Sequence, residues 1–121
     1  MKMPLHHSYQ APDGSYIWKL PDVRHAGLCK CVLPAGHISS AKRHKTVDEI
    51  WHFVSGSGQL WRKRDGEKEI ITDIESELSV TIPVGTHFQF KNIGDTDLVV
   101  LIVTSPIWPG EEEAESVPNY W

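Results

Sequence analysis

The sequence predicts an all-β chain, folded as an antiparallel sandwich or a small barrel. Short alternating or apolar runs follow one another roughly every ten residues, with turn residues between them. The strongest local signal is Asp65-Gly66, which stands between two such runs as in a tight hairpin. None of these runs repeats its apolar residues with the period of a helix. With 121 residues, the chain has the size of one domain with one core.

The N-terminal third is predicted to contain an arm followed by two strands. Residues 1–15 have no periodic pattern and form the predicted arm. Tyr16–Leu20 is rich in aromatic and apolar residues, as in a strand, and Pro21 ends it. Ala26–Leu33 is the second predicted strand, and the breaker sequence that follows it stops the pairing.

Two cysteines lie on this second predicted strand. Cys29 and Cys31 are two residues apart, so their side chains point to the same face of the sheet. The separation of about 6.5–7 Å along the strand is too large for an unstrained disulfide. We therefore predict two reduced thiols in the core.

The rest of the chain is predicted to complete the sheets. Five strands are expected at Val47–Val54, Gln59–Arg64, Glu67–Ile74, Leu78–Ile82 and His87–Asn92. The run Leu98–Val103 is apolar throughout, which predicts a strand with both faces covered and the deepest burial. In the tail, residues 105–121, the acidic run is expected to be solvated. The final Tyr120 and Trp121 are expected either to fold over the barrel or to pack on a partner subunit.

Two motifs organise residues 36–92, and both resemble the motifs of the cupin family. The first family motif spaces a glycine, two histidines, a glutamate and a glycine, and the positions that match its spacing are Gly36, Lys42, His44, Glu49 and Gly56. The second spaces a proline, a glycine, a histidine and an asparagine, and the matching positions are Pro83, Gly85, Phe88 and Asn92. The chain departs from the family pattern at two histidine positions, which hold Lys42 and Phe88.

The resemblance implies a single-domain, jelly-roll β-barrel over residues 1–121. It also implies a site on the inner wall of the barrel, where metal-binding cupins hold a divalent ion such as iron, manganese, nickel or zinc. In this chain the available ligands are His44, Glu49 and His87, a set that is chemically sufficient for such an ion. A metal-dependent isomerase or dioxygenase using these three residues is therefore one interpretation.

We favour a site without a tightly bound metal, because two features of the sequence oppose the metal set. Counting back from Asn92 along the strand places Phe88 in the inward position and His87 in the outward one. Lys42 brings an ammonium group to a ligand position, and an ammonium repels a cation. Glu49 shares a strand face with aromatic residues and needs a partner, which could be a metal ion, His44, or one of Lys42 and Arg43.

The favoured interpretation is a small-molecule-binding cupin with a partly degraded metal site and no cofactor. Its ligand is expected to be anionic or carbonyl-bearing, because cationic groups stand beside aromatic walls. The predicted ligand-binding residues are Lys42, His44, Glu49, Trp51, Phe53, Trp61, His87, Phe88 and Phe90. His44 and Glu49 are also the candidate catalytic residues, since a histidine held by a carboxylate can transfer protons. Whether the chain is an enzyme stays open at this point, and a ligand-sensing module is a third class.

Charge and composition narrow the expected partners. The net charge of −4 and the absence of a basic helix give no reason to expect nucleic acid binding. We expect no membrane partner and a cytoplasmic location, because the sequence has neither a signal-like N-terminus nor a long apolar run. A small open barrel leaves strand edges to be covered, so we expect a homodimer formed through strand edges or through the terminal arms.

Overall fold

The computed structural model describes residues 1–121, which form two antiparallel sheets packed face to face. Sheet A has the strand order β1-β2-β3-β10-β5-β8, with β1 Tyr9–Gln10, β2 Tyr16–Val23, β3 Ala26–Leu33, β10 Leu98–Ser105, β5 Asp48–Ser55 and β8 Ser79–Ile82. Sheet B has the order β11-β4-β9-β6-β7, with β11 Ala114–Ser116, β4 Lys42–His44, β9 His87–Asn92, β6 Gly58–Lys63 and β7 Ile70–Ile74. The prediction of an all-β jelly roll is confirmed, although the two sheets do not close into one continuous barrel.

Several strand boundaries follow directly from the sequence pattern. β3 and β9 begin and end at the predicted residues. β2 extends beyond its predicted end to Val23, because Pro21 lies within a register shift between Lys19 and Asp22. A proline is tolerated there, since a residue outside the regular ladder need not donate a backbone hydrogen bond.

The core lies between the sheets and consists of side chains that alternate inward along the strands. Fourteen buried hydrophobic residues form one cluster. The largest of them with almost no exposed surface are Trp51, Phe53, Phe90, Leu33 and Leu60. Trp51 packs edge-to-face against Phe53 and Phe90, with ring centroids 6.0 and 5.0 Å apart. Such aromatic contacts link the inner face of β5 in sheet A to that of β9 in sheet B.

The expectation that Leu98–Val103 has both faces covered is not met within a single chain. β10 is central in sheet A, between β3 and β5, and its residues alternate between buried and more exposed. Leu98, Val100 and Ile102 face the core, whereas Val103 on the other face is 37% exposed. Within one chain, the apolar run therefore belongs to a strand whose outward side chains are apolar as well as its inward ones.

The C-terminal tail folds back over the molecule. β11 pairs with β4, and before it residues Glu111–Glu113 form one 3-10 turn. The expectation that the acidic run is solvated is wrong for Glu113, which is buried and accepts hydrogen bonds from the backbone N–H of Lys45 and from the N–H and hydroxyl of Thr46. This carboxylate ties the tail to the loop after β4. No helix of the structure is long and apolar enough to cross a bilayer.

Candidate functional site

A cavity of about 380 Å³ occupies one end of the space between the sheets. Its walls come from inward-facing residues of both sheets, from the N-terminal segment and from the start of the tail. Five of the nine residues predicted to bind a ligand line it together, and these are Lys42, His44, Glu49, Trp51 and Phe88.

The strand register explains why these five side chains meet. Lys42 and His44 are alternate residues of β4 in sheet B, and both are buried. Glu49 and Trp51 are alternate residues of β5 in sheet A, and both are buried as well. Phe88 is paired directly with Lys42 across β4 and β9. Because alternate residues of a strand share a face, each sheet delivers its polar groups to the same interior.

Glu49 is a buried carboxyl group with one hydrogen bond. The indole Nε1–H of Trp51 donates to its Oε1 at 2.9 Å. Burial raises the pKa of Glu49 to about 8, and the bond from Trp51 offsets part of that rise by stabilising the carboxylate. At neutral pH this carboxyl group therefore retains its proton.

His44 is a buried imidazole that stays neutral. It is 4% exposed, and the rings of Phe88 and Trp108 contact it edge-on at centroid distances of 5.0 and 5.2 Å. Burial lowers its pKa to about 4. Its Nδ1 lies 3.7 Å from Oε1 of Glu49, too far for a hydrogen bond, and has no hydrogen-bond partner. Two neutral groups at this distance make a polar contact, and not an ion pair.

Lys42 is a cationic residue that lines the cavity. The residue is 8% exposed, and its Nζ donates to Oγ of Ser116 on the tail strand β11 at 2.8 Å. Lys42 takes part in none of the ion pairs of the chain, so the expected pairing of Lys42 with Glu49 is wrong. Instead, Ser116 is the direct cross-strand neighbour of Lys42 in sheet B and accepts its hydrogen bond.

The N-terminal segment supplies a wall that the sequence patterns did not reveal. Tyr9 on the edge strand β1, together with Asp13 and Ser15, lines the cavity. Burial raises the pKa of Tyr9 to about 12. Burial also raises the pKa of Asp13, although the hydroxyl and N–H of Ser15 donate to its carboxylate and Lys42 lies close enough to lower that pKa in part.

Cys29 and Cys31 also reach this cavity as free cysteines. Burial raises the pKa of Cys29 to about 12 and holds the pKa of Cys31 well above its ordinary value. The two thiols are therefore neutral at physiological pH, which makes them poor nucleophiles and poor metal ligands.

The beginning of the C-terminal tail lines another side of the cavity. Ile107, Trp108 and Glu111 all line it. Trp108 is the most important of these because its ring packs against His44. Only a weak signal in the sequence points to this wall, namely an aromatic residue beside prolines in a segment without strand periodicity.

Four of the predicted ligand-binding residues lie away from this cavity. Phe53 and Phe90 are fully buried in the packed part of the core. Trp61 faces outward from sheet B and stacks on Tyr120 of the tail, with ring centroids 5.3 Å apart. His87 faces away from the interior, since β9 pairs with β6 without a bulge and Phe88 takes the inward position.

The residues present do not fit a metal ion of the family type. No group of three or more histidine, cysteine or acidic side chains is placed to hold one. His44 and Glu49 could supply two donors, but His87 points elsewhere and the ammonium group of Lys42 stands at a ligand position of the family motif. A metal bound at two donors beside a fixed positive charge lacks the three or four protein ligands that hold such ions.

Comparison with known proteins identifies the fold. The chain is 27% identical over 109 residues to an uncharacterised protein of Methanocaldococcus jannaschii, and the match covers 86% of this chain and 83% of that protein. No protein-family model matches the sequence.

Solved structures with the same fold include a protein of Shewanella oneidensis, with a TM-score of 0.77, 17% identity and coverage of 90% of this chain and 77% of that chain. The capsular polysaccharide assembling protein CapF of Staphylococcus aureus matches with a TM-score of 0.75 and 21% identity, over 96% of this chain but only 35% of CapF. The cupin domain of Cnp3 from Schizosaccharomyces pombe matches with a TM-score of 0.67 and 14% identity, over 76% of this chain and 61% of that chain. These similarities confirm the cupin fold that the sequence motifs implied.

Proposed function

We propose that this cupin-fold chain binds a small anionic or carbonyl-bearing molecule in the cavity between its sheets, without a tightly held metal. The observation that carries the proposal is Lys42. Lys42 lines the cavity and is 8% exposed, and its Nζ donates to a neutral hydroxyl, that of Ser116. The Asp13 carboxyl group is near enough to interact with Lys42, but burial raises the pKa of that group and so opposes its charged form. A carboxylate or polarised carbonyl of a ligand would give the ammonium group a further acceptor.

The size and lining of the cavity support a small ligand. Sites for small molecules are largely apolar concavities with a few placed polar groups, in a range that begins near roughly 300 Å³. The cavity of about 380 Å³ stands at the lower end of that range. Trp51, Phe88 and Trp108 supply flat apolar walls, while Lys42, His44 and Glu49 supply the polar groups.

A second candidate function, proton transfer, is favoured by the contact between His44 and Glu49. A carboxyl group that retains its proton and an imidazole that lacks one stand 3.7 Å apart on the same cavity. One group can donate a proton and the other can accept one, which is the requirement for general acid–base catalysis. A ligand with an acidic C–H beside its carbonyl would then exchange that hydrogen with solvent.

The binding proposal is tested by titrating chelator-treated, untagged protein with pyruvate, 2-oxoglutarate and the neutral amide of pyruvate in a calorimeter. We expect the acids to bind more tightly than the amide. The variant Lys42→Met should weaken acid binding by about 10-fold or more, as expected for the loss of a charge-assisted hydrogen bond. Lys45→Met is the matched control, because Lys45 lies three residues further along the chain but is exposed and does not line the cavity.

Two results would contradict the binding proposal. One is equal affinity of the wild type and Lys42→Met for every acid. The other is binding that appears only after iron, manganese, nickel or zinc is returned to the protein. Proton transfer is read separately, as loss of the methyl proton signal of pyruvate in D₂O, and it should disappear in His44→Gln.

A further inference from the structure

Asp13 is an acidic residue of the N-terminal segment that lines the same cavity as Lys42. The segment is held beside the start of β4, because the backbone N–H of Ser40 donates to the carbonyl of Asp13 at 2.9 Å. The side chain of Asp13 is fixed as well, since the N–H and the hydroxyl of Ser15 both donate to Oδ1, at 3.0 and 2.6 Å. Neither bond uses Oδ2, so this second oxygen can accept from another donor.

The charge of Asp13 acts on cavity-lining residues from both sheets. Burial is the main reason why the pKa values of Glu49 on β5 and Cys31 on β3 are raised, and the charge of Asp13 raises both further. On the other sheet, Lys42 of β4 is close enough to lower the pKa of Asp13 itself. All of these residues line the cavity. The carboxyl group of Asp13 is therefore close to polar side chains on several sides of the same space.

Asp13 and Lys42 carry opposite charges without direct contact. Burial raises the pKa of Asp13, whereas the bonds from Ser15 and the nearby ammonium group lower it and so favour the ionised form. No ion pair joins Asp13 to Lys42, whose Nζ donates to Ser116 instead. An ammonium group has three donors, so Lys42 can also bind a further acceptor. A cation and an anion thus lie near each other, and each has room for another partner.

From this arrangement we infer that the cavity selects acids that carry a hydrogen-bond donor on the carbon next to the carboxylate, and above all 2-amino acids. This selectivity rests on the ligand site proposed above and names the class of its ligand. The carboxylate of the amino acid pairs with Lys42, and its ammonium group donates to Oδ2 of Asp13. The two charged groups of a 2-amino acid lie on neighbouring carbons, which suits two opposite charges that lie close together in the protein.

The group at C2 of the ligand decides how well it satisfies Asp13. An oxo group only accepts hydrogen bonds, so it brings no donor to an ionised carboxylate. A hydroxyl group supplies a donor without a charge. An ammonium group supplies both a donor and a counter-charge, which strengthens the bond and offsets the cost of burying the carboxylate. The expected order of affinity is therefore amino acid, hydroxy acid and oxo acid.

An aspartate that only stabilises its own turn would make the same two bonds with Ser15, so a useful variant must keep those bonds. In Asp13→Asn the side-chain carbonyl can still accept from Ser15, while an amide NH₂ replaces the second oxygen. The ammonium group of a ligand then meets another donor, whereas an oxo group meets a suitable one. The substitution should therefore preserve the turn and remove the preference for amino acids.

The test titrates chelator-treated, untagged protein in a calorimeter with pyruvate, lactate and alanine, the last two as each enantiomer. For the wild type we expect the better enantiomer of alanine to bind at least about 10-fold more tightly than pyruvate, with lactate between them. Asp13→Asn should weaken alanine binding at least about 10-fold and leave pyruvate binding equal or tighter. Asp95→Asn is the matched control and should leave the order unchanged, because it removes the same charge from an exposed residue outside the cavity.

Lys42→Met separates a wrong ligand class from a wrong site. If Lys42→Met weakens every acid but pyruvate binds the wild type as tightly as alanine does, the selectivity is overturned and the site stands. A preference for alanine that survives in folded Asp13→Asn has the same meaning. If none of the three acids binds the wild type, both the site and its selectivity are wrong. Should Asp13→Asn not fold, Ser15→Ala replaces it: loss of the hydroxyl donor loosens the carboxylate and should weaken alanine binding more than pyruvate binding, and equal losses would overturn the selectivity.

Discussion

The space between the two sheets is filled at one end and contains a cavity at the other, although the same strands line both ends. At one end Phe53 of β5 and Phe90 of β9 fill the space between the sheets completely. Toward the other end, two residues back on β9 and four back on β5, the strands present Phe88 and Glu49 to a cavity. Moving along one face of a strand thus leads from a solid core to a site with polar groups. The packed end fixes the relative position of the sheets, and the cavity end is left free to carry chemistry.

The residues of the two motifs are likewise distributed between the packed end and the cavity end. Gly56 and Asn92 lie at the packed end, where the side-chain amide of Asn92 donates to the carbonyls of Leu33 and Thr96. The positions that carry metal ligands in the family lie at the cavity end, and two of them have changed to Lys42 and Phe88. The glycine, proline and asparagine positions all match the family motifs, whereas only His44 and Glu49 match among the four ligand positions. The motifs therefore predict the fold better than the function.

The largest expected effect is at the packed end. Phe53→Ala should lower the free energy of unfolding by about 3–5 kcal/mol, because the ring leaves a closed apolar void. Phe88→Ala should cost at least about 1 kcal/mol less, since the space it leaves opens into an existing cavity that its neighbours and water can fill. Urea unfolding of both variants measures the difference. Equal losses would show that the two ends are packed alike.

A smaller effect is expected at the motif glycines. Gly56 has φ of 97°, and a Cβ there would lie 2.7 Å from the carbonyl oxygen of Asp97 and 2.8 Å from Cα of Leu98. Gly36 also has a positive φ, 75°, but a Cβ there meets nothing within 4 Å. Gly56→Ala should therefore destabilise the protein by about 2–3 kcal/mol and Gly36→Ala by about 1 kcal/mol. Similar unfolding midpoints for the two variants would contradict the close approach at Gly56.

The pH dependence of stability should isolate the cavity end. The pKa of Glu49 is about 8 in the folded chain, against an ordinary value of 4.5. Between these two pH values the folded state holds a proton that the unfolded state has released. The free energy of unfolding therefore falls as the pH rises. The pKa of His44 is about 4 against 6.5, so in that range the unfolded state holds the extra proton and stability rises with pH.

The two contributions oppose each other below pH 6.5, and only that of Glu49 acts between pH 6.5 and pH 8. Glu49→Gln should remove the decline in that upper window, so its stability relative to the wild type should increase by up to about 2 kcal/mol between pH 6.5 and pH 8. His44→Gln should keep the decline and extend it to lower pH. Thermal unfolding at a series of pH values measures both variants. A wild-type decline that persists in Glu49→Gln would mean that another group causes it.

How far the sequence could predict this molecule depends on how local each feature is. The strand β9 and the inward position of Phe88 follow from alternation and a motif, and both are seen in the structure. The partners of Lys42 could not be predicted, because Ser116 lies on a three-residue strand far along the chain, too short to leave a periodic pattern. The role of Tyr9 could not be predicted for the same reason, since β1 has two residues. The outward residues of β10 are apolar, and their apolar character led to the prediction that this face is covered. Within one chain Val103 on that face is 37% exposed.

The most direct test of the proposed ligand site uses the five tryptophans of the chain as reporters. Their indole N–H signals are recorded by two-dimensional NMR while pyruvate or 2-oxoglutarate is added to chelator-treated protein. Trp51 and Trp108 line the cavity, whereas Trp18, Trp61 and Trp121 do not. We predict that the signals of Trp51 and Trp108 shift in a saturable way and that the other three stay in place. Shifts confined to Trp18, Trp61 or Trp121 would contradict a ligand site in the cavity.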